Sequence, residues 1–492
     1  MSDIVLTADR TLMTTHHDKE ILGFGTSAPE GFFPEWFYHL LFCPNIKHKN
    51  GVAQLAPYSL RKVEAKLIDE GFDVVTVAPS HLHKFLPKAR VLGIHVMDPL
   101  GWGPSSITWA KVLRTGDPYV AVHFKRLLTD PSVMARKNNG LKIIVGGGTW
   151  QFKHKPEFLN EYGIDCAVYG ESEKILTRLF QMALNGEELP KFYETKKDEI
   201  PELEDISTIK APTVNGLTEI GRGCPRGCKF CTVTNRPLRW YPYETIEKEM
   251  KVNSEAGIFD GILHGEDVLL YGVKGVKPNR KKVLKLFNIT SKYYKIFGWS
   301  HISLAAAASD PKLIEKGAEI TLQNQDFVGC EIGIETCSSR LAKKIMPAKA
   351  SPFKPEDWPD LVKETTALLH DNRVVPIYTL IVGLPEEKEE DTIETIQVVK
   401  EMKNLRCVIV PLFFVPWAKL KGDGWYKLEQ VTELQMELLK RCLAHDIYWM
   451  KRFSKEYLKG LWYGPFMFPL YWTAINHIEH MAKRKGIIEA VS

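Results

Sequence analysis

Three cysteines in the run Cys224-Pro225-Arg226-Gly227-Cys228-Lys229-Phe230-Cys231 carry the strongest chemical signal in this chain. Thiolates spaced C-x3-C-x2-C can hold a 4Fe-4S cluster while leaving one iron without a protein ligand. Clusters are normally held by four cysteines, and the next one here, Cys330, lies far outside a ferredoxin-like spacing. The open iron is a place for a substrate or cofactor to bind, so a three-ligand site reads as catalytic. The competing reading is a zinc knuckle or a chance cluster of thiols. The preceding residues, 217–223, read as a short strand running into a glycine turn. That places the thiols on a loop at a strand's C-terminal end, the face on which barrel enzymes keep their chemistry.

With the aromatic Phe230 between its last two cysteines, the run resembles the defining motif of the radical S-adenosylmethionine (SAM) enzymes. That resemblance implies an α/β fold with a central (β/α)6 partial TIM barrel, and residues 216–417 supply a βα series with six strands. Later strand ends carry further matches. Residues 261–267 (GILHGED) resemble the family's G-G-E motif, which implies that Gly265 and Glu266 hold the SAM ammonium; His264 stands in place of the first glycine. The third strand is expected at 300–304, with Ser303 a further cofactor-binding candidate. Residues 329–335 (GCEIGIE) look like the family's G-I-E-S strand, implying that Glu331 or Glu335 accepts from ribose hydroxyls or substrate; structural ion pairing is the competing reading. Residues 378–387 (YTLIVGLPEE) match the fifth-strand signature, whose backbone at Gly383, Leu384 and Pro385 lies near the adenine. Glu390 and Asp391 suit the start of the next helix. The sixth strand is expected at 407–415, apolar enough to be buried on both sides. Cys330, Cys337, Cys407 and Cys442 have no mutual C-x2-C spacing and read as small buried hydrophobes.

Composition frames these sites. The 492 residues, 44% hydrophobic and 25% charged, describe a globular chain long enough for two or three domains. Lys and Arg (65) barely exceed Asp and Glu (60), so a net charge of +5 gives no nucleic-acid footprint. Nine cysteines, three of them in a cluster motif, point to a reducing cytoplasm. The first residues lack the basic and apolar regions of a signal peptide. The longest uncharged run, 460–476, is too short for a bilayer and contains Pro465 and Pro469, so no transmembrane span is expected.

Residues 56–185 alternate helical and strand patterns in the manner of a doubly wound sheet. A helix is expected over 58–71, and strands over 4–7, 73–78, 91–96, 141–145 and 165–169. Their C-terminal loops carry Ser105 and Ser106 beside a helix start, the triplet Gly146-Gly147-Gly148, and Tyr169-Gly170-Glu171. Alone these loops indicate a nucleotide-like ligand, with tight turns as the alternative. Together they resemble the cobalamin-binding Rossmann-like domain fused in front of many radical SAM enzymes, which implies cobalamin contacts at those residues. No D-x-H-x-x-G motif is present there, so no histidine is marked as a lower axial ligand, as in the radical methylase branch. Residues 10–56 form an unusually long connection, read as a lid over corrin or substrate, or equally as a helix packing its aromatics on the core.

The domain reading is 1–188 cobalamin-binding, 189–215 linker with Pro190, Pro201 and Pro212, 216–417 barrel, and 418–492 a helical C-terminal cap. Residues 431–451 have helical apolar spacing, and 457–475 include Trp462, Tyr463, Phe466, Phe468, Tyr471 and Trp472. These read as a substrate tunnel lining or, more simply, as core. The flanking Lys451, Arg452, Lys483, Arg484 and Lys485 offer a face for an acidic partner or anionic lipid, or a solvated basic face.

The resemblance implies a cobalamin-dependent radical SAM methyltransferase that uses a 5'-deoxyadenosyl radical and methylcobalamin to methylate an sp3 carbon, with a 4Fe-4S cluster, SAM and cobalamin as cofactors. It implies an external electron donor such as ferredoxin or flavodoxin, and a protein or lipid substrate. In methanogenic archaea, enzymes resembling this family methylate methyl-coenzyme M reductase, including a glutamine α-carbon, which offers one specific acceptor. Three alternatives stand beside it. A tRNA methylthiotransferase would carry three further cysteines in its N-terminal domain. A ring-forming or lipid-modifying enzyme shares the domain order. A non-catalytic cobalamin or iron-sulfur carrier would need neither the open iron nor the Gly383-Leu384-Pro385 strand.

Overall fold

The computed structural model describes residues 2–232, 236–420, 422, 424–458 and 464–484, which fall into two units. The first unit comprises Met1–Thr218 with Lys248–Ile258. Its runs of Val, Ile and Leu are too uniformly apolar for a half-exposed sheet and form parallel strands buried on both faces. These are β1 (Ile4–Ala8), β2 (Val74–Thr76), β3 (Val91–Val96), β4 (Lys142–Gly147), β5 (Cys166–Tyr169) and β6 (Phe192–Glu194), ordered β2-β1-β3-β4-β5-β6. Every neighbouring pair is parallel. Alternate residues feed two cores. Ile4 and Leu6 pack with Leu60 and Leu67 of helix Tyr58–Asp69 and with Leu179 and Phe180 of helix Leu176–Asn185. Val5, Leu92 and Ile94 face Phe124 and Leu127 of helix Tyr119–Leu128 and Phe158.

The stretch 189–215, expected as a linker, contributes β6 to the edge of this sheet, pairing Ala167 with Phe192 and Tyr169 with Glu194. Pro190 and Pro201 flank the strand, and its short length is what an edge tolerates. Buried Lys62 and Glu249 form an ion pair, and Thr213 donates to Asn253 (2.9 Å), which fixes Lys248–Ile258 to the first unit.

The long connection 10–56 folds into 3-10 turns, helix Glu35–Phe42 and a ribbon of His48–Lys49 with Val52–Ala53. Tyr38 and Leu41 are buried, and Tyr38 stacks on Tyr119 with ring centroids 3.7 Å apart. The core-packing reading therefore holds for one face of this helix, whereas Trp36, 69% exposed, points outward.

The second unit, Glu219–Glu247 with Phe259–Ser492, opens at the last residue of β7 (Leu217–Glu219). It continues with β8 (Asp260–His264), β9 (Ile296–Trp299), β10 (Val328–Glu335), β11 (Val374–Val382) and β12 (Val408–Phe413). Two three-stranded sheets, β9-β8-β7 and β10-β11-β12, are joined by a parallel bridge of His301 with Glu331. The result is an α/β fold whose core is a parallel-stranded series in chain order. Trp299, fully buried and stacked on Phe287 at 5.0 Å, anchors β9; truncating such a side chain costs about 3–5 kcal/mol.

In the second unit two strand boundaries differ from expectation. The third strand is Ile296–Trp299, not 300–304, because Ser303 caps helix Leu304–Ser309 by accepting from Ala306 N–H (3.3 Å) and the alanines that follow favour helix. The sixth strand is shorter than 407–415, ending at Phe413. Two long helices follow, Glu433–Tyr457 and Gly464–Arg484, packed through Ile447, Ile475 and Ala482. Met467 and Tyr471 are buried and Phe466 is exposed, while Trp462, Tyr463 and Lys485 lie outside the described residues. Part of the basic flank is engaged: Lys451 and Lys483 both reach Glu479 (2.5 and 2.9 Å), and the Arg452 guanidinium lies 3.4 Å from the Tyr448 ring centre. Among the described residues no helix is long and apolar enough to cross a membrane.

Candidate functional site

The three cysteines occupy the loop after β7. Its base is a small ribbon, Gly221–Arg222 antiparallel to Arg239–Trp240. Gly221 is required there, since a Cβ would lie 2.4 Å from the Trp240 ring, and Gly223 turns the chain at φ +88°. Cys228 is buried, and Cys224 and Cys231 are partly exposed. Burial pushes the Cys224 thiol up to about 11 and raises that of Cys228. A metal cation is the partner that would offset this cost and hold them as thiolates.

Two cations fix the loop. Arg226, inside the motif and buried, donates to the carbonyls of Ala348 (3.2 Å), Lys349 (2.9 Å) and Ser351 (2.9 Å) and to Ser303 Oγ (2.8 Å). Ser303 in turn donates to Asp267 (2.5 Å), whose carboxyl burial pushes above its ordinary range. Lys349 is 2.5 Å from Glu335 and 5.6 Å from the centre of the Phe230 ring. Burial opposes its charge, yet Glu335 and then Cys228 hold its ammonium above the ordinary lysine range. Lys229 N–H donates to Ile345 O (3.2 Å), and Phe230 packs beside Leu341, Ile345, Leu384 and Phe414.

The other sequence-predicted residues of this unit fall at strand ends. Gly265 and Glu266 follow β8, where Ile220 N–H pairs with His264 O (2.8 Å) and Gly265 N–H donates to Ser300 Oγ (3.2 Å). Burial, then the neighbouring His301, lowers the His264 pKa, and its Nδ1 has no hydrogen-bond partner; one oxygen of Asp267 and Nε of Arg226 are likewise unpartnered. Glu331, within β10, lies 3.1 Å from His301 Nε2. Glu335 ends β10 at φ +59°, one oxygen on Lys349 and the other accepting from Thr379 Oγ1 (3.4 Å). Gly383, at φ +82°, leads Leu384 and Pro385 out of β11; both Gly383 N–H (2.6 Å) and Leu384 N–H (3.1 Å) donate to Glu387. Gly383 also meets the Tyr426 ring, which a Cβ would approach to 2.2 Å. Sequence reasoning missed Arg226, Asp267, His301, Lys349 and Glu387. Arg226 and Asp267 adjoin motif residues and were open to inspection; Lys349 carries no local signal, because only the fold brings it to the loop.

In the first unit the predicted residues again sit where strands end. Asp98, after β3, accepts from Trp102 N–H (2.8 Å) and Gly103 N–H (3.0 Å) at the entry to helix Pro104–Leu113. Ser105 Oγ is buried without a partner, and Ser106 is buried. Gly147 (φ +110°) and Gly148 are set by backbone crowding: a Cβ would lie 2.1 Å from Val96 O and 1.8 Å from Met97 O. A Cβ on Gly146 would meet nothing within 4 Å. Tyr169 ends β5, Gly170 turns at φ +109° and Glu171 follows. His95, on β3, lies 3.0 Å from Ser59 Oγ, and burial lowers its pKa to about 4.

Residues 218–399 match the family model described as the Radical SAM superfamily. The chain carries a radical SAM domain. Such a domain works with a 4Fe-4S cluster and SAM and draws on an electron donor. Among curated proteins, the tRNA-2-methylthio-N(6)-dimethylallyladenosine synthase of Orientia tsutsugamushi (strain Boryong) is 24% identical over 273 residues, 54% of this chain and 58% of that protein. That of Thermotoga petrophila is 26% identical over 310 residues, 61% of this chain. The chain thus spans 58% and 66% of the lengths of these relatives. Among solved structures, TsrM of Kitasatospora setae, a radical SAM methyltransferase solved with tryptophan and aza-SAM, aligns at TM-score 0.55 and 14% identity over 85% of this chain and 75% of its own. A second TsrM structure, with cobalamin and a [4Fe-4S] cluster bound, gives TM-score 0.54. At that identity the likeness is one of fold.

Proposed function

We propose that this chain is a cobalamin-dependent radical SAM C-methyltransferase acting on an unactivated sp3 carbon. In this reading the first unit is a Rossmann-like cobalamin-binding domain, the second a partial barrel, and the last two helices its cap. The observation that carries it is the union, in one chain, of a three-cysteine loop ending a barrel strand and a parallel sheet whose strand-end loops leave the Ser105 hydroxyl unpartnered and Gly146 in open space. The fold likeness to TsrM, reaching over 85% of the chain, supports the same reading.

Cys224, Cys228 and Cys231 would hold the cluster. Gly265, Glu266, Glu331 and the Gly383-Leu384-Pro385 backbone would receive SAM, and Ser105, Ser106, Gly146, Gly147, Gly148, Tyr169, Gly170 and Glu171 would receive the corrin. When bound, these groups supply the electron that splits SAM and the methyl group that is transferred. The chain's own contribution is positioning. Arg226 pins the cysteine loop through three carbonyls, and Lys349 places a positive charge beside the sulfurs, where added electron density is stabilised. Ser303 and Glu335, whose polar atoms are engaged by Arg226, Asp267 and Lys349, serve this scaffold.

The curated relatives favour a second reading, methylthio transfer. Against it, residues 1–218 contain only Cys43 and Cys166, both buried, too few to hold a second cluster. The deciding experiment incubates anaerobically reconstituted protein with SAM, a reductant and methyl-coenzyme M reductase peptide containing the glutamine acceptor. 5'-Deoxyadenosine formation is expected, with methyl transfer dependent on cobalamin and indifferent to sulfide. Cys228→Ala should lose 5'-deoxyadenosine altogether; retained formation by that variant, or transfer that follows sulfide rather than cobalamin, contradicts the proposal.

A further inference from the structure

Apart from the residues assigned to the proposed function, helix Glu35–Phe42 and helix Tyr119–Leu128 bring two histidines and a carboxylate together in the first unit. His39 Nε2 lies 3.2 Å from Glu35 Oε1, His123 Nε2 lies 3.9 Å from the same oxygen, and the three ligand atoms are all within 4.8 Å of one another. Ligands at about 2.0–2.2 Å around a tetrahedral zinc ion are roughly 3.3–3.6 Å apart, so closing this set means shortening its widest separation by up to about 1.5 Å.

The local packing explains these side chains poorly on its own terms. His123 is 8% exposed and His39 7% exposed, yet His123 Nε2 and His39 Nδ1 have no hydrogen-bond partner. A buried unpaired ring nitrogen is costly, and here His123 Nε2 lies 3.9 Å from the shared carboxylate oxygen, beyond hydrogen-bond reach. The geometry points to a divalent transition-metal site, of the zinc class, formed by Glu35, His39 and His123. Glu35 and His39 also line an open cleft of about 560 Å³ with Arg10, His17, Trp36 and Leu40, from which a ligand in a fourth position would enter. A water or small anionic ligand suits that position, since Arg10 supplies positive charge.

Arg126 now pairs with Glu35, but it is 48% exposed and free to swing into solvent when a cation takes the carboxylate. The bound ion would clasp the 10–56 segment to helix Tyr119–Leu128, fixing the outward aromatic face that Trp36 begins.

The three cluster cysteines also bind zinc, so the test starts from the full-length Cys224→Ala/Cys228→Ala/Cys231→Ala variant. Zinc is titrated by calorimetry and its environment is read by X-ray absorption at the zinc edge. One zinc per chain with a nitrogen and oxygen shell at about 2.0–2.1 Å and no sulfur is expected. Glu35→Gln, at a position 43% exposed and therefore safe for folding, should weaken binding by about tenfold or more, and His123→Gln likewise. No zinc in this triple variant, sulfur in the shell, or unchanged affinity in well-folded Glu35→Gln would overturn the assignment.

Discussion

Asp9, just past β1, shows how one buried group ties the first unit to pH. One carboxyl oxygen accepts from Thr11 N–H (2.7 Å) and Thr11 Oγ1 (2.6 Å), the other has no partner, and burial pushes the pKa from 3.8 to about 6 against those hydrogen bonds. The native state therefore holds a proton that the unfolded chain releases earlier. Its contribution is fully present below about pH 4 and is lost as pH rises through about 6, an amount of roughly 3 kcal/mol. Asp9→Asn should be the more stable protein at pH 7.5 in urea unfolding, with the difference closing by pH 4; a constant difference across that range would mean Asp9 is ionised in the fold. At this scale the cysteines stood out because their spacing is that of a metal-ligating loop, and the fold sets all three in the loop after β7. Glu335 did not, since a carboxylate at a strand end reads the same whether it meets a ribose or a lysine, and only the fold supplies Lys349.

The elements were legible wherever a period was long enough to read. The first unit's sheet emerged from Val- and Ile-rich runs, and the βα alternation of the second unit gave its strand series. Short elements failed: β6 is three residues between prolines, and the stretch after Trp299 reads as strand until Ser303 is recognised as a cap. The glycine triplet meets two separate demands. Gly147 and Gly148 answer the close approach of β3, and Gly146 alone faces open space. Two substitutions separate the effects. Gly147→Val should destabilise the protein by about 1–3 kcal/mol, because its Cβ meets backbone at a positive φ. Gly146→Val should leave the thermal midpoint and iron content nearly unchanged while lowering bound corrin severalfold. Equal corrin in Gly146→Val and the parent would remove that loop from the proposed cobalamin site.

At the scale of the whole molecule, the domain order was read from two motif sets at a distance from each other, and what it left open is the acceptor. Neither the near-neutral charge balance nor the aromatic C-terminal helices select between protein and lipid, and the sequence relatives and structural neighbours divide between sulfur and methyl chemistry. A cobalamin-dependent radical SAM enzyme must hold both cofactors in one chain. The most direct measurement is an absorption spectrum with metal analysis of anaerobically purified protein, reconstituted with iron, sulfide and hydroxocobalamin and then desalted. About four iron atoms and about one cobalt per chain are expected, with the corrin bands retained. Iron at that level with no retained cobalt would contradict the proposed function and leave a radical SAM enzyme of another kind.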